Sequence, residues 1–180
     1  FVQLMLSSGA QRLAEHKAVV KSLTDVETLG GTTVINSDKT GTLTMNAMTA
    51  TSMLAGGQWY RIEGSGYAKT GAILGPAGRE TPDFVRLGLG LTLCSDATVA
   101  DDETIIGDPT DAALVVLAAK FGVDAEVTRR SLPRVAPVPF DSEYKFMAAF
   151  PDVPEGGTGG LASYAHFMCV KGAPDVVIDR

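Results

Sequence analysis

A chain of 180 residues can bury one good core, or hold a small domain plus part of another. With 45% hydrophobic and 20% charged residues it reads as globular rather than disordered. A formal charge of −6, with no basic stripe carrying interleaved aromatics, argues against a nucleic-acid partner.

In chain order, Ala10, Leu13, Ala14 and Ala18 give a modest apolar face and predict a helix over 3–22. Thr24-Asp25-Val26-Glu27 reads as a capping box for a short second helix closed by Gly30. The β-branched run Thr33-Val34-Ile35-Asn36 then predicts a buried strand ending at the carboxyl edge of a sheet, where open α/β sheets bind ligands. Asp38 follows directly. A carboxylate is ionised at neutral pH and can form an acyl phosphate once its repulsion from phosphate oxygens is screened, a task for Lys39 and a magnesium ion. Thr40, Thr42 and Thr44 offer hydroxyls, and Gly41 lets the backbone turn closely around a phosphoryl group. An isolated Asp-Lys-Thr-Gly is also an ordinary turn, and the glycine spacing excludes a Walker A loop. The full run Asp38-Lys39-Thr40-Gly41-Thr42-Leu43-Thr44 after a strand points to phosphoryl transfer from a nucleotide or phosphoester.

The pattern changes near residue 47, dividing the chain into 1–47 and 48–180. Strands are predicted over 48–54 and 59–62 around the hairpin signal Gly56-Gly57, and the glycine-rich 64–79 reads as irregular. Thr81-Pro82 opens a helix running to Cys94, despite Gly88 and Gly90. Asp108-Pro109-Thr110-Asp111 starts another, apolar nearly all round over 112–121 and therefore buried, which stops at Gly122. Three antiparallel strands are expected over 134–140, 144–150 and 164–170, with a mobile loop over 151–160, and Pro174 opens a terminal helix. No apolar stretch reaches the roughly 18 residues that span a bilayer. Cys94 and Cys169 lack CxxC spacing, and His16 and His166 have no partners at metal-ligand spacing.

Phe140, Lys145, Met147 and Lys171 form a second constellation. Lys145 and Met147, two apart, are expected on one strand face, so that a ring, a thioether and two ammonium groups enclose an adenine and reach toward phosphates. Each alone also fits a plainer role, Phe140 and Met147 as core residues and the lysines as surface charges. Asp111 reads equally as a first-turn residue opposing the helix dipole and as a ligand contact.

The run Asp38 to Thr44 resembles the signature of the P-type ATPases, ion pumps that phosphorylate themselves on that aspartate. Gly9-Ala10-Gln11-Arg12 and Val26-Glu27-Thr28-Leu29-Gly30 resemble the entry to the phosphorylation domain of the calcium-pump-like and sodium-pump-like branch. Leu93-Cys94-Ser95-Asp96-Ala97, Gly107-Asp108-Pro109-Thr110-Asp111, Pro139-Phe140-Asp141-Ser142-Glu143 and Lys171-Gly172-Ala173-Pro174-Asp175 follow in that branch's order, so the resemblance covers nearly the whole chain. It implies an α/β fold, with the end of a stalk helix and part of a haloacid-dehalogenase-like Rossmannoid phosphorylation domain over 1–47. An inserted nucleotide-binding domain, an antiparallel sheet flanked by helices, occupies 48–180.

The resemblance further implies ATP and Mg2+ as cofactors. Asp38 accepts the terminal phosphoryl on closure of the two domains, Lys39 stabilises charge, Thr42 steadies phosphoryl oxygens, and Asp38 with the Thr40 carbonyl holds magnesium. Phe140 stacks on adenine, Lys171 with Gly172 beside it lines the pocket, and Lys145 also approaches the nucleotide, while Met147 joins them on the residue pattern above. The counterpart of Asp111 is usually Glu on the adenine side, and Tyr144 stands where a basic residue is common. The parent protein is expected in a bacterial plasma membrane, with this part cytosolic. Its transported cation, calcium by branch, passes through membrane helices outside this chain. The segment is expected to be internal, to lack downstream magnesium carboxylates, and to bind ATP weakly without turnover. Two alternatives stand beside it: a haloacid-dehalogenase-type phosphatase, which normally carries Asp-x-Asp where this chain has Thr40, and a nucleotide-binding module in which Asp38 plays no part.

Overall fold

A computed structural model of the chain describes residues 1–78, 80–154 and 167–179. It divides into two compact units, Phe1–Met45 and Asn46–Arg180.

The first unit holds two helices, α1 (Val2–Glu15) and α2 (Leu23–Gly30). α1 stops well short of the expected residue 22 because Lys17 takes a left-handed φ of 63°, and the Lys17 and Ala18 amides close back on the carbonyls of Ala14 and Leu13. The expected capping box does not form. α2 begins before Thr24, whose hydroxyl pairs with that of Ser22 at 2.7 Å instead of receiving a backbone N–H. Nor do residues 33–36 form the predicted strand: Val34 and Ile35 are exposed, and no described residue of this unit is in a strand that could pair with them. An apolar run becomes a strand only when a neighbour completes its hydrogen-bond ladder.

The second unit is a set of small antiparallel sheets and helices gathered around one buried helix. β1 (Ser52–Ala55) and β2 (Gln58–Ile62) form the predicted hairpin, with Ala55 opposite Gln58 and both turn residues at positive φ, 56° for Gly56 and 74° for Gly57. That is the geometry for which Gly-Gly is selected. β3 (Ile73–Leu74) adds a third strand inside the segment expected to be irregular. α3 (Val85–Leu93) begins later than Thr81-Pro82 suggested, and the Val85 amide donates to the Asp83 carboxylate at 2.9 Å. A two-stranded ribbon follows, β4 (Thr98–Val99) with β5 (Ile105–Ile106).

α4 (Pro109–Lys120) is the centre of the unit. Asp108 caps it, accepting from the Thr110 amide at 2.8 Å and the Asp111 amide at 3.3 Å, and Pro109 occupies the first turn, where its missing N–H costs nothing. Being apolar on every side, the helix packs in several directions. Ala118 joins Leu89, Leu93, Cys94, Leu132, Met147 and Ala149; Ala112, Val115 and Val116 join Tyr67, Ala97 and Val99; Leu117 joins Ile62 and Phe121. A short helix that the sequence pattern had not announced, α5 (Ala125–Ser131), is capped by Asp124. The last sheet has the order β6 (Arg134–Asp141), β7 (Phe146–Pro151), β8 (Cys169–Gly172), all antiparallel, before α6 (Pro174–Ile178). β7 is central and buried, whereas Pro137 and Pro139 sit on edge strand β6, where missing donors are tolerated. Most of the expected 151–160 loop, the first residues of the strand expected over 164–170, and His166 lie outside the described residues. No described helix is long and apolar enough to cross a membrane.

Candidate functional site

The second unit carries a cleft of about 600 Å³, within the usual range for small-molecule sites, where the N-terminus of α4 meets one end of the last sheet. Antiparallel pairing creates it: the end of β6, the start of β7 and the end of β8 fall together. Met147 and Lys171 are register partners, as are Phe146 and Gly172, and Phe140 lies in the irregular stretch of β6 between residues 138 and 141. Phe140, Met147, Lys171, Gly172 and Asp111, five of the residues nominated from sequence, thus line one space. Met147 forms its buried wall, while the Phe140 ring is 60% exposed and available to a partner. Gly172 permits close strand approach, since a Cβ there would lie 2.6 Å from the Lys145 carbonyl oxygen and 2.6 Å from the Phe146 Cβ.

Lys145 behaves differently from its expected place. It does not share a strand face with Met147, because β7 begins at Phe146 and Lys145 occupies the preceding turn at a φ of 56°. The Asp141 carboxylate causes this by accepting from the amides of Glu143 at 2.7 Å and Tyr144 at 3.2 Å, while the Lys145 amide bonds the Asp141 carbonyl. Lys145 is exposed and is not among the side chains lining the cleft.

Asp111 stands in the first turn behind the Asp108 cap, as expected; one of its oxygens pairs with the Lys171 ammonium and the other accepts from the Asp96 amide at 3.0 Å. Asp96, Asp108, Thr110 and Leu114 complete the lining. None was singled out as a site residue, although all but Leu114 stand inside motifs visible in the sequence. Hydrogen bonding from Thr110, first by its side chain and then by its amide, holds the Asp108 carboxyl below the usual carboxylate range, with a smaller contribution from the Lys171 charge. The cleft therefore presents an open aromatic ring, a thioether, carboxylate acceptors and one ammonium group. Such a set suits a flat heteroaromatic base with amino donors, linked to an anionic tail.

The first unit places Asp38, Lys39, Thr40 and Thr42 on an exposed turn. Gly41 takes a φ of 74°, and the Thr44 amide closes the turn on the Lys39 carbonyl at 3.2 Å. The Thr44 hydroxyl donates to the same carbonyl and accepts from the Gly41 amide, each at 3.3 Å. Among the described residues no group of three or more His, Cys, Asp or Glu gathers at metal-binding distance. The Asp38 carboxylate and Thr40 carbonyl are nevertheless hard oxygen donors, the type magnesium takes in small number beside substrate phosphates and waters.

Comparison with known proteins gives a consistent result. Residues 83–180 match the family model for the P-type ATPase cytoplasmic domain N. The chain is similar to the "Cation-transporting ATPase pma1" of Synechocystis, 38% identical over 99% of this chain and 22% of that protein. It is likewise 38% identical to the "Probable cation-transporting ATPase F" of Mycobacterium tuberculosis and 33% identical to the "Calcium-transporting ATPase" of Bacillus subtilis, each over 99% of this chain and 20% of the relative. The chain thus spans about a fifth of the length of the curated relatives it matches.

Proposed function

The chain belongs to the P-type cation-transporting ATPases, and from that premise we propose that its second unit binds ATP in the cleft at the N-terminus of α4. In the parent protein Asp38 then accepts the terminal phosphoryl group. The observation that carries this reading is the convergence of Asp111, Phe140, Met147, Lys171 and Gly172 on one cleft of suitable volume. Adenine stacks on the exposed Phe140 ring against Met147, with its exocyclic amine toward the Asp96, Asp108 and Asp111 side. The carboxylates on that side repel phosphates, so the triphosphate runs away from them toward the open mouth of the cleft, with Lys171 offsetting part of their charge. Lys145, on its exposed turn, reaches the nucleotide only from outside the cleft.

At Asp38 the carboxylate attacks the terminal phosphorus, the bond to the departing ADP oxygen breaks, and an aspartyl phosphate forms. Lys39 offsets negative charge beside the acceptor, and Thr42 donates to phosphoryl oxygens. Asp38 and the Thr40 carbonyl would hold Mg2+, which would supply charge neutralisation at the transferring group. Thr40 stands where phosphatases of related chemistry carry a second carboxylate that serves as acid and base, so the acyl phosphate persists long enough to drive cation movement. Steady hydrolysis by this chain alone is not expected. The parent is a membrane pump whose nucleotide and acceptor sites face the cytosol of a bacterium, with calcium, for which several relatives are named, as the proposed cargo.

Two measurements test this. ATP labelled on its terminal phosphate should leave acid-precipitable label on the parent protein, lost in Asp38→Asn; label persisting in that variant would rule out Asp38 as the acceptor. An azido-adenine nucleotide should crosslink to peptides containing Phe140 or Met147, and crosslinks confined to other peptides would remove the cleft from consideration.

A further inference from the structure

Two arginines outside the cleft are bound to the loop that supports it. Arg129, part-buried on α5, donates through Nη2 to the carbonyls of Ser95 at 2.7 Å and Ala97 at 3.0 Å, and through Nε to that of Thr92 at 3.4 Å. Arg134, at the start of β6, contacts the Asp96 carboxylate at 2.6 Å and the Ser95 carbonyl at 3.3 Å. Two guanidinium groups therefore share one carbonyl in a region where Ser95 and Ala97 are fully buried. Burial and mutual repulsion oppose this arrangement and push the charge on Arg129 in the unfavourable direction. The compensation is four bonds to backbone carbonyls and one ion pair, all on residues 92–97.

That loop meets the cleft at Asp96, which is part of the lining and whose amide reaches Asp111. The other Asp111 oxygen holds Lys171. Neither arginine lines the cleft.

We propose that Arg134 and Arg129 are positioning residues: by clamping residues 95–97 they fix the Asp96 amide, which orients the Asp111 carboxylate and through it the Lys171 ammonium at the cleft wall. The nucleotide consequence rests on the ATP reading above; the order imposed on Lys171 does not. Without the clamp, the 95–97 loop moves, Asp111 keeps only one of its two partners, and Lys171 spends more time free in solvent.

The test uses the 180-residue chain and has two arms. In the first, without nucleotide, the rate of acetylation of Lys171 by acetic anhydride is followed by peptide mass spectrometry. Arg134→Gln and Asp111→Asn should each raise it about threefold or more, as expected when a charge-assisted bond is loosened. Arg134→Lys, which keeps the ion pair with Asp96, should recover part of the protection. In the second, ATP affinity is measured in a double-mutant cycle. Each single variant should weaken binding about three- to tenfold, and the double variant no more than the weaker-binding single, because both act through one carboxylate. Unchanged Lys171 reactivity in a folded Arg134→Gln chain, or fully additive losses, overturns the proposal. Should Arg134→Gln fail to fold, Arg129→Lys, which keeps the charge but loses the fork, decides it by the same acetylation readout. If the unmodified chain does not bind ATP, the functional reading falls while the acetylation arm still decides this inference.

Discussion

Asp38 and Lys171 sit in opposite kinds of surroundings. Every residue from 27 to 48 is exposed, and the Asp38 turn is held by a few bonds among its own neighbours. Lys171 hangs from a strand whose register partner Met147 is 2% exposed, and its ammonium is tied through Asp111 and the Asp96 amide to a loop gripped by two arginines. The contrast teaches that marking out a proposed phosphate acceptor and building a proposed binding site are separate tasks. The proposed acceptor is specified by a contiguous run of residue types, whereas the cleft exists only because distant segments fold onto α4.

Substitutions in the two regions should therefore differ most where packing is deepest. Leu93, fully buried against α4 and β7, should lose about 2–5 kcal/mol of stability for the second unit on change to alanine, read from urea unfolding. Smaller is the expected effect of Gly122→Ala. Gly122 has a φ of 80° with nothing near a would-be Cβ, so its cost is purely that of a left-handed backbone, about 1–2 kcal/mol. Asp108→Ala should lose about 1 kcal/mol at neutral pH by removing the cap of α4. Folding lowers the pKa of this carboxyl below 3.8, so its stabilising contribution is complete above that value and is lost as the pH falls through the lower folded value. The gap between wild type and Asp108→Ala should accordingly shrink in acid unfolding below pH 3.8; a gap that widened there would contradict the hydrogen-bonding pattern. Least affected should be Ile35→Ala, within about 0.5 kcal/mol, because its side chain is exposed. A loss at Ile35 as large as that at Leu93 would erase the contrast.

Local chemistry was legible in the sequence. Asp108, Pro109 and Gly122 delimit α4 by capping, φ preference and helix termination, and Gly56-Gly57 marks its hairpin; none of these needs a distant partner. Phe140, Met147 and Lys171 could be nominated as a group because their motifs follow in the order that resembles the P-type pumps, whereas the periodicity that tied Met147 to Lys145 failed. What failed depended on partners. The apolar run 33–36 satisfies the pattern of a buried strand, but pattern alone does not supply the neighbouring strand. Lys145 left its expected face because Asp141 captured two backbone amides and turned the chain. The roles of Arg129 and Arg134 rest on carbonyls more than 30 residues away in sequence, a relation that no local spacing encodes.

The central claim, that nucleotide is held by the cleft of the second unit independently of the acceptor turn, is tested most directly by calorimetric titration of the 180-residue chain with ATP. Wild type and Asp38→Asn should bind with equal affinity, while Phe140→Ala and Lys171→Ala should each weaken binding about tenfold, or roughly 1.4 kcal/mol. Undiminished affinity in both cleft variants, or loss of binding in Asp38→Asn alone, would contradict it.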